Sequence, residues 1–231
     1  MTKHVVESAM PNKKGIDYLV IEGPIGVGKT SIARKLTDDF SAELLLEQVD
    51  ENPFLQQFYK DIKKSSLPTQ LYFLLSRVEA LQKLQQRDIF SSMIVSDFLL
   101  EKDQLFARLL LDDKQFDLYR KIYHNLRVPN LRADLVVYLQ APVSVLMERI
   151  RKRGRAFEQT IDAEYLNHLN NAYLDFFYHY EKSPVLIVNT VDVDFINDKD
   201  EYYRLKEHIL NVESAKCYYN PAPYELKKHG K

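Results

Sequence analysis

The chain has 231 residues, with 32 Lys or Arg against 33 Asp or Glu, and a single cysteine. A net charge of −1 leaves no global field to draw in nucleic acid or an anionic membrane, Cys217 alone excludes an intrachain disulfide and suits a reducing cytoplasm, and no apolar run approaches a membrane span. No Gly/Ser or Pro linker and no repeat divides the chain, so one folded domain over 16–213 is expected, between a flexible N-terminus (1–15) and a C-terminal tail (214–231).

Met1 to Gly15 is polar and lacks the apolar core of a signal peptide. Tyr18 to Ile21 is a short apolar run of the kind that forms a buried parallel strand. It leads into Gly23-Pro24-Ile25-Gly26-Val27-Gly28-Lys29-Thr30-Ser31, which fits the phosphate-loop pattern, and a helical pattern follows to about Phe40. Strand, glycine-rich loop and helix start is the context that pattern needs. The glycines let several N–H groups converge on one anion, and the helix N-terminus adds partial positive charge. Lys29 is placed to reach the β- and γ-phosphates of ATP, and the Thr30 hydroxyl to hold Mg²⁺.

Glu43 to Glu47 reads as the second strand and Asn52 to Lys63 as a helix, and Pro68 is expected to open a long helix to about Arg87. Its core stripe is Leu71, Leu74, Leu75, Val78, Leu81 and Leu84. Met93 to Asp97 is the third strand; Lys102–Leu111 and Lys114–Leu126 are helical; Leu135–Gln140 is the fourth strand; and a helix runs from Pro142 to Lys152. The arginine-rich run Arg149 to Glu158 comes next, then a helix from Asp162 to about Glu181, a fifth strand Val185–Asn189 and a helix from Lys199 to Val212. Five β-rich runs separated by helices predict a five-stranded parallel sheet in a three-layer α/β/α sandwich, with ligands gathered at the carboxyl ends of the strands.

That edge brings together the loop, Glu47 and Asp97. Glu47 suits a general base on a substrate hydroxyl, or else a strand-end ion pair. Gln70, Phe73 and Arg77 share one face of the long helix and suit a nucleobase, or else form a polar flank beside packed Phe73. Arg149, Arg151, Arg153 and Arg155 surround Gly154, a pattern for a phosphate-gripping lid over 149–159 or for a solvated helix end. No Asp precedes any glycine by three positions and no Asn-Lys-x-Asp occurs, which argues against a GTPase switch.

On these motifs the chain resembles the deoxyribonucleoside kinases, in particular the bacterial deoxyadenosine/deoxyguanosine type, over Tyr18 to Glu181. The resemblance implies that Glu47, in Leu46-Glu-Gln-Val49, is the base, with Gln48 where the family usually has proline. It further implies that Tyr59 and Glu158 meet the 3′-hydroxyl, that Tyr165 follows at family spacing, that Gln70 and Arg77 read the base with Phe73 as a wall, and that Arg149, Arg153 and Arg155 close over the phosphates. One stretch departs: after strand three the family carries an arginine, whereas this chain has Ser96-Asp97-Phe98. Aligning through Leu105-Phe106-Ala107 puts Lys102 on the base-pocket acid; aligning on the strand-end acid makes Asp97 the Mg²⁺-side carboxylate and Asp103 the base-pocket acid, with Lys102 free to replace the missing charge. The second register suits a strand-end Asp better. The expectation is transfer of the ATP γ-phosphoryl group to the 5′-hydroxyl of a purine deoxyribonucleoside by a cytoplasmic homodimer without nucleic-acid or membrane partners. A nucleoside monophosphate kinase of thymidylate-kinase type is the alternative, ahead of a non-catalytic nucleotide-gated module.

Overall fold

The computed structural model describes residues 15–85 and 93–221. The expectations for 1–14, for Arg87 and for the chain after residue 221 lie outside them. Six parallel strands form one sheet in the order β2-β3-β1-β4-β5-β6: β1 Tyr18–Glu22, β2 Glu43–Leu45, β3 Ile94–Ser96, β4 Leu135–Gln140, β5 Val185–Asn189 and β6 Lys216–Tyr219. The helices are α1 Lys29–Phe40, α2 Leu55–Lys60, α3 Ile62–Gln85, α4 Lys102–Leu110, α5 Asp113–Asn125, α6 Val143–Arg153, α7 Ala163–His179 and α8 Lys199–Leu210.

Consecutive residues of β1 and β4 are buried, so both sheet faces are covered and the strands read as continuous apolar runs. The sheet has a sixth strand beyond the five expected. It falls in the stretch read as a tail, where only Cys217, Tyr218 and Tyr219 signal a strand, and it pairs with β5 from Val185↔Lys216 onward. β1 lies between β3 and β4, so the chain leaves it toward one side for β2 and β3 and toward the other for β4 to β6. A ligand crevice opens where the strand order reverses in this way, and the glycine-rich loop follows β1 there.

Two helical expectations shift. The long helix begins at Ile62, with Pro68 inside it. Asp61 supplies the start signal, its carboxylate accepting from the N–H of Lys64 at 3.3 Å. The cost of an internal proline, about 3 kcal/mol, is offset by a helix that packs Leu74, Val78, Leu81 and Leu84 into a hydrophobic cluster. Leu75, placed in the core stripe, is 49% exposed. It stands about 100° round the helix from buried Leu74, and the inner arc is completed instead by Gln70 and Arg77. A second core cluster, Leu74, Val78, Leu81, Leu84, Phe98, Leu100, Ala107 and Tyr119, joins α3, α4 and α5 beside the main sheet core.

Candidate active site

The glycine-rich loop packs between α1 and α6. Gly26 has φ 87°, and a Cβ there would stand 2.8 Å from Ile150 Cγ1 and 2.9 Å from the Leu146 carbonyl, so only glycine lets α6 lie this close. Gly28, at φ 105°, is the N-cap of α1. Ile25, Gly26 and Gly28 to Ser31 line a cavity of about 390 Å³. Gly23, Pro24 and Val27 form the back of the loop: the carbonyls of Gly23 and Pro24 accept from Lys29 Nζ at 2.7 and 3.2 Å. Burial and the neighbouring Lys102 lower the pKa of Lys29, against the pull of Glu22, Glu47 and Asp97.

Asp97, one residue past β3, ties this loop to Glu47 across the cavity. Its Oδ2 accepts from the Thr30 hydroxyl at 2.5 Å and its Oδ1 from the N–H of Glu47 at 2.7 Å. That second bond explains why β2 ends at Leu45 although Glu47 is aimed at the site: the Asp97 side chain takes over where the ladder stops. Burial raises the pKa of Asp97, and the Thr30 bond opposes the rise.

Beyond Asp97 lies a buried ionic cluster. Arg77 Nε donates to Glu47 Oε1 at 2.7 Å, and its other nitrogens bond Glu47 and Asp103. Tyr119 OH donates to Asp103 Oδ2 at 2.5 Å, and Arg77 stacks over the Phe73 ring at 5.1 Å. Burial alone would raise the Glu47 carboxyl; Arg77, Lys102 and Lys29 overcome it and hold the pKa at about 2. Lys102 Nζ lies 3.2 Å from Glu22 Oε2 and 3.6 Å from Glu47 Oε1. Thus Asp103, not Lys102, meets Arg77, while Lys102 turns toward the loop and Glu47. Phe98, the residue after Asp97, is packed in the helical core.

Gln70 lies beside this cluster on the cavity wall, with Phe73, Phe58, Phe106 and Tyr173. Tyr59 stacks on Phe157 with ring centres 6.0 Å apart, and burial raises its hydroxyl pKa, so it stays a donor. The first part of the arginine run lies on α6, which reaches Arg153, and Gly154 ends the helix. Arg153 donates to Glu158 Oε2 at 2.6 Å, and Arg155 reaches across to Asp50 at 3.3 Å. Both arginines and Glu158 line the cavity. Arg149 is placed differently: it donates to Thr190 Oγ1 at 2.9 Å and to the Val27 carbonyl at 3.4 Å, behind the loop.

Three contributors escape the sequence reading. Glu22 looks like an ordinary strand end; only the hydrophobicity of the run before it marks it as buried. Arg34 lines the cavity one turn after Thr30, a spacing that places the two on one face of α1. Phe106 reads as part of an amphipathic helix. Among the described residues no group of three or more His, Cys, Asp or Glu could hold a metal ion, and no helix is long and apolar enough to cross a membrane.

Residues 19–213 match the family described as deoxynucleoside kinase. A deoxyguanosine kinase of Bacillus subtilis is 34% identical over 200 residues, covering 84% of this chain and 97% of that protein. A deoxyadenosine kinase of Dictyostelium discoideum is 34% identical, covering 82% of this chain and 80% of its own length. Among solved structures, a deoxyadenosine kinase from M. mycoides with products dCMP and a flexible dCDP bound superimposes with a TM-score of 0.71 at 29% identity, covering 84% of this chain and 98% of that one.

Proposed function

The chain belongs to the deoxynucleoside kinase family, and on that footing we propose that it transfers the γ-phosphoryl group of ATP to the 5′-hydroxyl of a purine deoxyribonucleoside. The observation that carries this reading is the pairing of an ionised Glu47 with a phosphate loop across one cavity, joined through Asp97. The 5′-oxygen forms a bond to the γ-phosphorus as the bond to the β,γ-bridging oxygen breaks; ADP leaves, and the hydroxyl proton passes to Glu47. The loop amides and Lys29 hold the donor phosphates, and Arg153 and Arg155 exchange their acids for phosphoryl oxygens as the charge spreads. Arg149 braces the loop from behind. Tyr59 and Glu158 take the 3′-hydroxyl; Gln70 offers the base edge both a donor and an acceptor, with Arg77 and Phe73 fixing its plane. Lys102 faces the acceptor oxygen beside Glu47.

Thr30 and Asp97 fit a magnesium ion. They are hard oxygen donors in mutual contact beside the loop, and Mg²⁺ takes one or two protein ligands alongside phosphate and water. Bound there, the ion would neutralise charge on the β- and γ-phosphates. The homodimer implied by the resemblance belongs to the same proposal, and light scattering of the purified chain tests it.

The acceptor end suits a hydroxyl better than a second phosphate, because its cations are already matched: Arg77 by Glu47 and Asp103, Lys102 by Glu22 and Glu47. A panel of the four deoxynucleosides and their monophosphates with labelled ATP tests the proposal. Product from deoxyguanosine or deoxyadenosine supports it. Product from monophosphates alone moves the chain to the thymidylate-kinase type of chemistry, and nucleotide binding without any product would make it a gated module.

A further inference from the structure

Glu22 ends β1, is fully buried, and every direction around its carboxylate is used. Oε1 accepts from the N–H of Gly23 at 2.8 Å and from Tyr173 OH at 3.1 Å; Oε2 accepts from the N–H of Leu99 at 2.8 Å. Lys102 Nζ stands 3.4 Å from the first oxygen and 3.2 Å from the second. One side chain therefore gathers the first residue of the phosphate loop, the turn after β3, the first residue of α4 and the middle of α7. A carboxylate is an expensive way to make such a junction: its removal from water costs several kcal/mol, and an apolar pair of like volume often does as well.

What the charge achieves is visible at the other end of the lysine. Lys102 has a 3% exposed side chain and lines the cavity, while Glu22 lies behind it. With Glu22 on one side of the ammonium, Nζ also lies 3.6 Å from Glu47 Oε1 on the cavity side. Without that anchor the flexible four-carbon stem would collapse onto Glu47 as a closed pair and neutralise the base.

We infer that Glu22 is a positioning residue for phosphoryl transfer, acting through Lys102: it keeps that cation beside the acceptor oxygen, where negative charge builds in the transition state, and ties it to the start of the phosphate loop. This rests on the kinase reading above. That cation comes from the first turn of α4 and is registered by the end of β1.

The test is a double-mutant cycle on the full chain, with kcat and both KM values measured for the best deoxynucleoside and ATP. Lys102→Met lowers kcat by about 100-fold, the usual loss of one transition-state donor, with little change in either KM. Lys102→Arg recovers part of that loss. Glu22→Gln lowers kcat about 10-fold in the native background and by less than about 2-fold when Lys102 is already Met, because its effect runs through the lysine. Equal factors in both backgrounds, or wild-type kcat in Lys102→Met, overturn the inference. Should Glu22→Gln fail to fold, Glu22→Asp keeps the charge and draws it back by one methylene: a loss confined to kcat is expected, and raised KM values with kcat unchanged overturn the inference. A wild-type protein that phosphorylates no deoxynucleoside would remove the kinase reading and this inference together; an active wild type with the contrary variant pattern removes only the latter.

Discussion

Arginine and acid meet twice around the cavity, in two different ways. On the floor, Arg77 has a 5% exposed side chain, Asp103 is fully buried and Glu47 is 14% exposed. In the segment proposed as a lid, Arg153 and Arg155 are 39% and 34% exposed, and Asp50, the partner of Arg155 across the mouth, is 68% exposed. Glu158 alone is sunk into the lid, at 3%. The floor is a fixed network in which removing one partner strands a buried charge; at the mouth the Arg155–Asp50 pair is solvent-screened and worth about 0–1 kcal/mol, while buried Glu158 has two arginines beside it, so that either can leave with the other still in place. On the proposed function, the floor holds Glu47 ionised before substrate arrives, and Arg155 can trade exposed Asp50 for a phosphate oxygen at little cost.

The contrast is sharpest at Glu47. Glu47→Gln should cut kcat by about 10²–10⁴-fold, the span for general-base catalysis, and leave deoxynucleoside affinity within a few-fold; equilibrium binding beside steady-state kinetics checks both. Asp103→Asn, which leaves Arg77 half-paired in a buried site, should cost about 3–5 kcal/mol in urea unfolding. A loss below 1 kcal/mol would mean the floor is as exchangeable as the lid. Tyr119→Phe withdraws one donor from Asp103 and should cost about 1–3 kcal/mol in the same measurement.

The pH dependence follows from the same network. The folded pKa of Glu47, about 2, lies below its ordinary value, so its contribution to stability is complete above the ordinary carboxylate range and is lost as pH falls toward 2. Wild type and Glu47→Gln should therefore differ in urea midpoint near neutral pH, the difference shrinking below the ordinary carboxylate range and closing only as pH falls through about 2. The smallest effect belongs to the lid: Asp50→Asn should shift stability by no more than about 0.5 kcal/mol, and a larger change would show that the Arg155 contact is structural.

Much of this contrast was open to sequence reasoning on the lid side and closed to it on the floor. The phosphate loop and the arginine run are local patterns visible in their spacing, although Arg149 of that run packs behind the loop and only Arg153 and Arg155 line the cavity. Strands β4 and β5 were legible to the residue because their apolar runs end abruptly. The floor depends on partners far apart in the chain, such as Arg77 with Asp103 and Glu22 with Lys102, and no periodicity announces such pairs, whereas Thr30 and Asp97 were brought together by the strand-end rule. Strand β6 was hidden because four residues at a sheet edge carry too little pattern, and the start of α3 because the capping strength of Asp61 outweighs Pro68.

A structure of the chain with a purine deoxyribonucleoside and a non-hydrolysable ATP analogue tests the account most directly. It should place the 5′-oxygen about 2.6–3.2 Å from a carboxylate oxygen of Glu47, with Arg77 still on Asp103 and Lys102 still on Glu22, while Arg153 or Arg155 has moved to a phosphate oxygen. A 5′-oxygen out of reach of Glu47, or a floor rebuilt around the ligand while the lid pairs stay closed, would contradict it.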